Sequence, residues 1–125
     1  MFDSLKGMGQ IAGLMKDLPR LKAKMEEVKD RLSEMTVQAE TGGGAVRVVA
    51  DGQMRIVKIE TDQALLSGLI DPSDPEDLAM AQDLIVGAVN AALTKAREMA
   101  QDELADAAQE MGLPIPPGGL GGLLT

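Results

Sequence analysis

The chain has 125 residues, a formal net charge of −8 and a hydrophobic fraction of 45%, with Phe2 its only aromatic side chain. That length suits one compact domain, whose core must come from Leu, Ile, Val, Ala and the nine methionines. The absence of His, Cys, Trp and Tyr removes the usual neutral-pH general base, the usual zinc and iron ligands, the thiol nucleophile and any disulfide.

The N-terminus lacks the basic and continuous apolar regions of a signal peptide. From Ile11 the apolar residues keep a heptad: Ile11, Leu18, Met25 and Leu32, with Leu14, Leu21, Val28 and Met35 between them. This spacing predicts an amphipathic helix with a seam like that of a coiled coil. Pro19 interrupts it, and Asp17 can serve as an N-cap. The helix is therefore expected from about Leu18 or Pro19 to Met35, with residues 1–17 forming an arm or a short helix.

The pattern then turns to alternation. Thr36–Thr41 reads as a strand, Gly42-Gly43-Gly44 as a loop, and Ala45–Ala50 as a β-branched second strand. Asp51-Gly52 signals a type I′ hairpin turn into a third strand over Gln53–Glu60. Three such strands in succession make an antiparallel meander. Asp62 can cap a short turn through Leu66. Asp74, Pro75, Glu76 and Asp77 together open a second long helix that runs to about Met111, with Gly112 as its stop. The expected class is thus α+β, an α-β-β-β-α protomer. Residues 1–112 make a single domain, and 113–125 a Pro/Gly/Leu-rich flexible tail.

A helix from Pro75 to Met111 would be on the order of 55 Å long, against ~23 Å for a seven-residue strand. It must project past the sheet, yet its apolar stripe continues through Val86, Val89, Leu93, Ala96, Ala100, Leu104, Ala107 and Met111. The first helix can cover part of that stripe, and Gly87, Ala88, Ala91 and Ala92 allow close approach. A three-stranded meander also leaves a face and two edges open, which predicts a homodimer. The packing and dimer residues are expected to be Leu21, Met25, Val28, Leu32, Val86, Val89 and Leu93.

Several segments resemble one known family. Glu40-Thr41-Gly42-Gly43-Gly44-Ala45-Val46-Arg47-Val48 is similar to the acidic, glycine-triplet and strand signature of the YbaB/EbfC family. The Asp51-Gly52 hairpin, Ile56–Glu60, Leu65-Leu66 and the Asp83–Ala92 segment follow in that family's order, and the methionine-rich opening and Gly-Leu-Pro tail also match. The resemblance implies an intertwined dimer with helices projecting like tweezers. It also implies a cytoplasmic, nucleoid-associated protein that binds duplex DNA with little sequence preference and can alter its conformation. A recombination or replication protein is the implied protein partner; no membrane, cofactor or metal is expected, and no enzymatic activity.

Charge is unevenly distributed. Residues 1–36 carry +1, residues 37–62 carry −1, and residues 63–125 carry −8. Lys16, Arg20, Lys22 and Lys24 fall within nine residues opposed only by Asp17, and Lys16–Arg20 and Arg20–Lys24 are i,i+4 pairs. Such a row supplies sequence-independent phosphate contacts, so these four are the candidate DNA-binding residues. A solvated helix face is the plainer reading of the same row. Glu98, Asp102, Glu103, Asp106 and Glu110 on the distal second helix would repel a duplex, so DNA binding is expected to be weak and salt-sensitive. The alternative is an acidic dimeric protein-interaction scaffold without significant DNA binding.

Other motifs carry less. The glycine triplet lacks the Lys-Ser/Thr and following helix of a phosphate loop. Asp71, Asp74, Glu76 and Asp77 lack the pattern of an EF-hand, and helix capping accounts for them. Without His, the four serines have no histidine-based triad, and a Ser4–Lys6 pair comes with no oxyanion-hole motif. Pro114–Pro117 fits a polyproline II docking segment less well than a loose tail.

Overall fold

The computed structural model describes residues 2–112, with side chains described from Leu18 onward. Helix α1 spans Phe2–Glu34, strands β1, β2 and β3 span Thr36–Thr41, Val46–Asp51 and Ile56–Thr61, and helices α2 and α3 span Gln63–Leu69 and Pro75–Glu110. The strands form one antiparallel sheet in the order β1-β2-β3. The α-β-β-β-α plan read from the sequence holds, with the short α2 added between the sheet and α3.

Helix α1 begins well before Pro19, contrary to the start expected near that residue. Proline lacks only its own N–H and fits helical φ, so the backbone continues through it with one donor missing. The second and third strands are each shifted or shortened against expectation, because the turn between them takes Gly52 through Arg55 rather than two residues. That turn is not type I′: Met54, not Gly52, adopts positive φ (64°). Asp51 organises it. Its carboxylate accepts from the N–H groups of Gln53 (2.9 Å) and Arg55 (3.1 Å) and from Arg55 Nε (2.8 Å).

Gly52 is required for a different reason. Its N–H donates to the carbonyls of Leu32 (2.9 Å) and Met35 (3.0 Å), and a Cβ there would lie 2.7 Å from Leu32 O. The turn is thus seated against the C-terminal end of α1. The glycine triplet is a single 3₁₀ turn joining β1 to β2, and all three residues have positive φ, the conformation glycine adopts at no steric cost.

Helix α3 lies across β1 and β2 and leaves β3 uncovered on that side. The buried face of α3 is made of alanines: Ala88, Ala92 and Ala96 meet Ala39, Val46, Val48 and Ala50 of the sheet. The stripe of larger residues read from the sequence is therefore displaced. Methyl groups at i,i+4 let the helix backbone approach the sheet, and bulky side chains flank the contact instead. Val89 packs partly against this core, Leu93 is half-buried, and Val86 is exposed at 57%. Two polar contacts bracket it: Thr41 Oγ1 donates to the Leu84 carbonyl (2.6 Å), and Lys95 Nζ donates to the Gln38 carbonyl (2.9 Å).

Beyond the sheet, α3 packs on α1. Val28 and Leu32 are buried against Ala100 and Ala107, with Met35 and Leu104 at the margin. The helix ends follow the sequence reading. Asp74 accepts from the Glu76 N–H (3.0 Å), Pro75 opens α3, and Gly112 ends it at φ 69°. Asp62 caps α2 by accepting from the Leu65 N–H (3.1 Å).

Candidate nucleic-acid interface

Helix α1 presents its cations in two directions. Arg20 and Lys24 line one shallow groove with Ala23, Glu27, Glu110 and Met111. Lys22 lies instead beside Leu18, Pro19, Leu21 and Met25 on an open apolar strip. Of the four expected DNA-binding residues, Arg20 and Lys24 are therefore brought together, and Lys22 is on a separate face. Lys16 lies outside the described side chains.

Their electrostatic surroundings differ sharply. Arg20 and Lys22 are exposed. Lys24 is only 20% exposed, its Nζ 2.5 Å from a carboxylate oxygen of Glu110 and 3.6 Å from one of Glu27. The hydrogen bond to Glu110 raises the Lys24 pKa above the ordinary lysine value and holds the Glu110 carboxyl below the ordinary glutamate range. Both groups are charged at neutral pH, and each satisfies the other.

Arg31 repeats the arrangement one heptad along. Its guanidinium lies 3.3 Å from Glu103 and 3.7 Å from Glu27. Sequence reasoning missed Arg31, although its spacing from Lys24 places both on one face of α1. It also missed a groove where Lys29 of α1 and Arg97 of α3 meet Gln53 and Met54 of the β2–β3 turn. Gln53 Nε2 donates to the Lys29 carbonyl (2.9 Å), fixing that turn to the helix. Nothing local in the sequence links Lys29 to Arg97.

The sheet face away from α3 is a polar lattice. Glu40 and Arg47 are cross-strand partners joined at 2.8 Å, and Lys58 pairs with Glu60 at 2.8 Å. The β3 residues Ile56, Val57 and Ile59 are exposed at 37%, 58% and 49%. Val57 sits at a bulge, opposite the step from Val49 to Ala50.

Among the described residues there is no cluster of three or more side chains suited to holding a metal. The acidic loop is occupied by local bonds: Asp71 accepts from Ser73 N–H and Oγ, and Asp77 accepts from the Asp71 N–H. Among the described residues no helix is long and apolar enough to cross a membrane.

Comparison with known proteins agrees with this geometry. Residues 8–111 match the model of the YbaB/EbfC DNA-binding family. A protein of Moorella thermoacetica named nucleoid-associated protein is 39% identical over 108 residues, covering 86% of this chain and 97% of the relative. One of Acetivibrio thermocellus with the same name is 40% identical, covering 92% of this chain and 88% of the relative. The crystal structure of an uncharacterised protein from Helicobacter pylori shares the fold, with a TM-score of 0.52 at 21% identity, over 68% of this chain and 90% of that one.

Proposed function

The chain belongs to the YbaB/EbfC DNA-binding family, and from that premise we propose that it is a nucleoid-associated protein that binds duplex DNA as a homodimer with little sequence preference. The observation that carries this reading is the exposure of Arg20 and Lys22 on α1. Long cationic side chains on an open helix reach phosphate oxygens without reading bases, which gives affinity and not sequence. Such binding loses strength steeply as salt rises.

The dimer is supported by what one chain leaves uncovered. Strand β3 is a sheet edge, and Ile56, Val57 and Ile59 are apolar side chains that no element of the same chain covers. A second copy is the simplest cover, since an isologous contact hides the same surface on both protomers. Two α1–α3 arms would then extend from a common centre, a tweezer-like pair able to straddle a duplex and change its path.

A second reading is favoured by one observation. Glu98, Asp102 and Asp106 form an exposed acidic side of distal α3. A protein working as an acidic scaffold would use that side toward a basic partner, with no role for DNA.

Anisotropy titration of a labelled ~30-base-pair duplex at low and near-physiological salt separates the two. Binding that falls steeply with salt, and is weakened for every sequence alike by Arg20→Glu with Lys22→Glu, is the expected result. No binding at low salt would overturn the DNA reading in favour of the scaffold.

A further inference from the structure

Two ion pairs tie α1 to distal α3, and their spacing is regular. Lys24 meets Glu110, and Arg31 meets Glu103. The two cations are one heptad apart on α1 and the two acids one heptad apart on α3, in opposite chain directions, as antiparallel helices require. Glu27 stands between the cations, within 3.6 Å of Lys24 and 3.7 Å of Arg31. Lys24 and Glu103 are the sheltered members, 20% and 19% exposed, while Arg31 and Glu110 are open to water at 42% and 57%.

A carboxylate accepting from an ammonium or a guanidinium does the same chemistry as a phosphate oxygen. Resting on the proposed function, we infer that Glu103 and Glu110 act as an internal competitor of DNA: they occupy Lys24 and Arg31, and a duplex gains those two contacts only by displacing them. The exchange is feasible because the pairs are solvent-accessible and screened, so neither is held as a buried pair would be. The apolar contact beneath them is small, with Val28 and Leu32 against alanines, so distal α3 can part from α1 without unfolding the sheet. The clasp thus sets both the strength and the salt dependence of DNA binding.

The test compares two full-length variants of equal charge change. Glu103→Gln with Glu110→Gln removes the competing carboxylates. Glu98→Gln with Asp102→Asn removes two exposed acids from the same helix that make no ion pair among the described residues. Each is titrated against a ~30-base-pair duplex over a series of salt concentrations beside the wild type, since every phosphate contact adds about 0.9 to the slope of log K against log salt.

The clasp variant is expected to bind roughly ten-fold tighter at low salt with a slope steeper by about two per protomer; the control should keep the wild-type slope. An equal shift in both variants, or an unchanged slope in the clasp variant, would overturn the competitor while leaving DNA binding intact. Failure of all three proteins to bind would overturn the competitor and the DNA reading together. If urea unfolding shows the double clasp variant to be unstable, Glu110→Gln alone carries the test, with half the change in slope expected.

Discussion

The backbone N–H of Gly52 donates to the carbonyl of Leu32 at 2.9 Å, locking the β2–β3 turn to the C-terminal end of α1. Leu32 is in turn buried against α3, so this one backbone bond ties turn, first helix and last helix together. Gly52→Ala places a methyl 2.7 Å from the Leu32 carbonyl oxygen, and a backbone atom cannot step aside as a side-chain tip can. We expect a loss of about 1–3 kcal/mol in urea unfolding, the usual range for overpacking a fixed contact. An unchanged midpoint would show that the turn can lift away from α1.

Asp51 gives a pH-dependent counterpart. Burial pushes its carboxyl up, but the bonds from the Arg55 N–H and guanidinium and from the Gln53 N–H outweigh that and hold the group below the usual aspartate range. A depressed folded pKa contributes stability that is present above the unfolded value, about 3.9, and is lost as pH falls through the folded one. Asp51→Asn should lower stability at neutral pH by about 1–3 kcal/mol and flatten the acid limb of the stability–pH curve. Parallel acid limbs in wild type and variant would place the pH dependence elsewhere.

Truncating the contact between the arms should act on α1 and α3 more than on the sheet. Val28 is 1% exposed and Leu32 7%, each against alanines that cannot fill a void. Leu32→Ala should cost about 2–4 kcal/mol, and hydrogen exchange should quicken in residues 98–110 before it does in β1 and β2. Uniform quickening across the sheet would mean that the arm and the sheet unfold as one unit.

The proposed dimer surface is open to direct attack. Ile56→Glu with Ile59→Glu places two carboxylates on the uncovered part of β3, where no partner within the chain is disturbed. Sedimentation should report a monomer with unchanged helix content by circular dichroism. A dimer that survives the change is held together by some other surface.

On DNA, Lys22→Glu is a cleaner probe than Lys24→Glu. Lys22 is exposed, so its reversal should weaken binding to all sequences alike and lower the salt slope by about two counterions' worth per protomer, one lost contact and one repelled phosphate. Reversal at Lys24 would also set a carboxylate against Glu110 and Glu27 and drive α1 from α3. A null effect of Lys22→Glu would move the phosphate contacts to another face of α1.

Much of this architecture is legible in the sequence because its signals are local. The Asp74-Pro75 start of α3, the alternation in Val46–Ala50 and the heptad through Val28 and Leu32 each depend on near neighbours, and each stands in the structure. What escaped depends on distant ones. Gly52 looks like a turn residue with φ > 0, but it is there because α1 passes close by. The α3 stripe looks as though it should face inward with Val86, but the sheet selects alanines. Lys24 belongs to a basic row by its spacing, yet its partner Glu110 lies at the other end of the chain. Only folding shows which of the four cations is engaged.

The alanine face of α3 has a consequence for how the arm is aligned. A row of methyl groups at every fourth position is nearly identical from one helical turn to the next, so it offers the sheet a smooth rail and not a set of distinct sockets. Sliding α3 by one turn would cost little in that contact. The toothed elements are at its flanks, where Thr41 grips the Leu84 carbonyl and Lys95 reaches the Gln38 carbonyl. Those two bonds act as locating pins: they index the helix on the sheet and so fix how far its acidic tip extends.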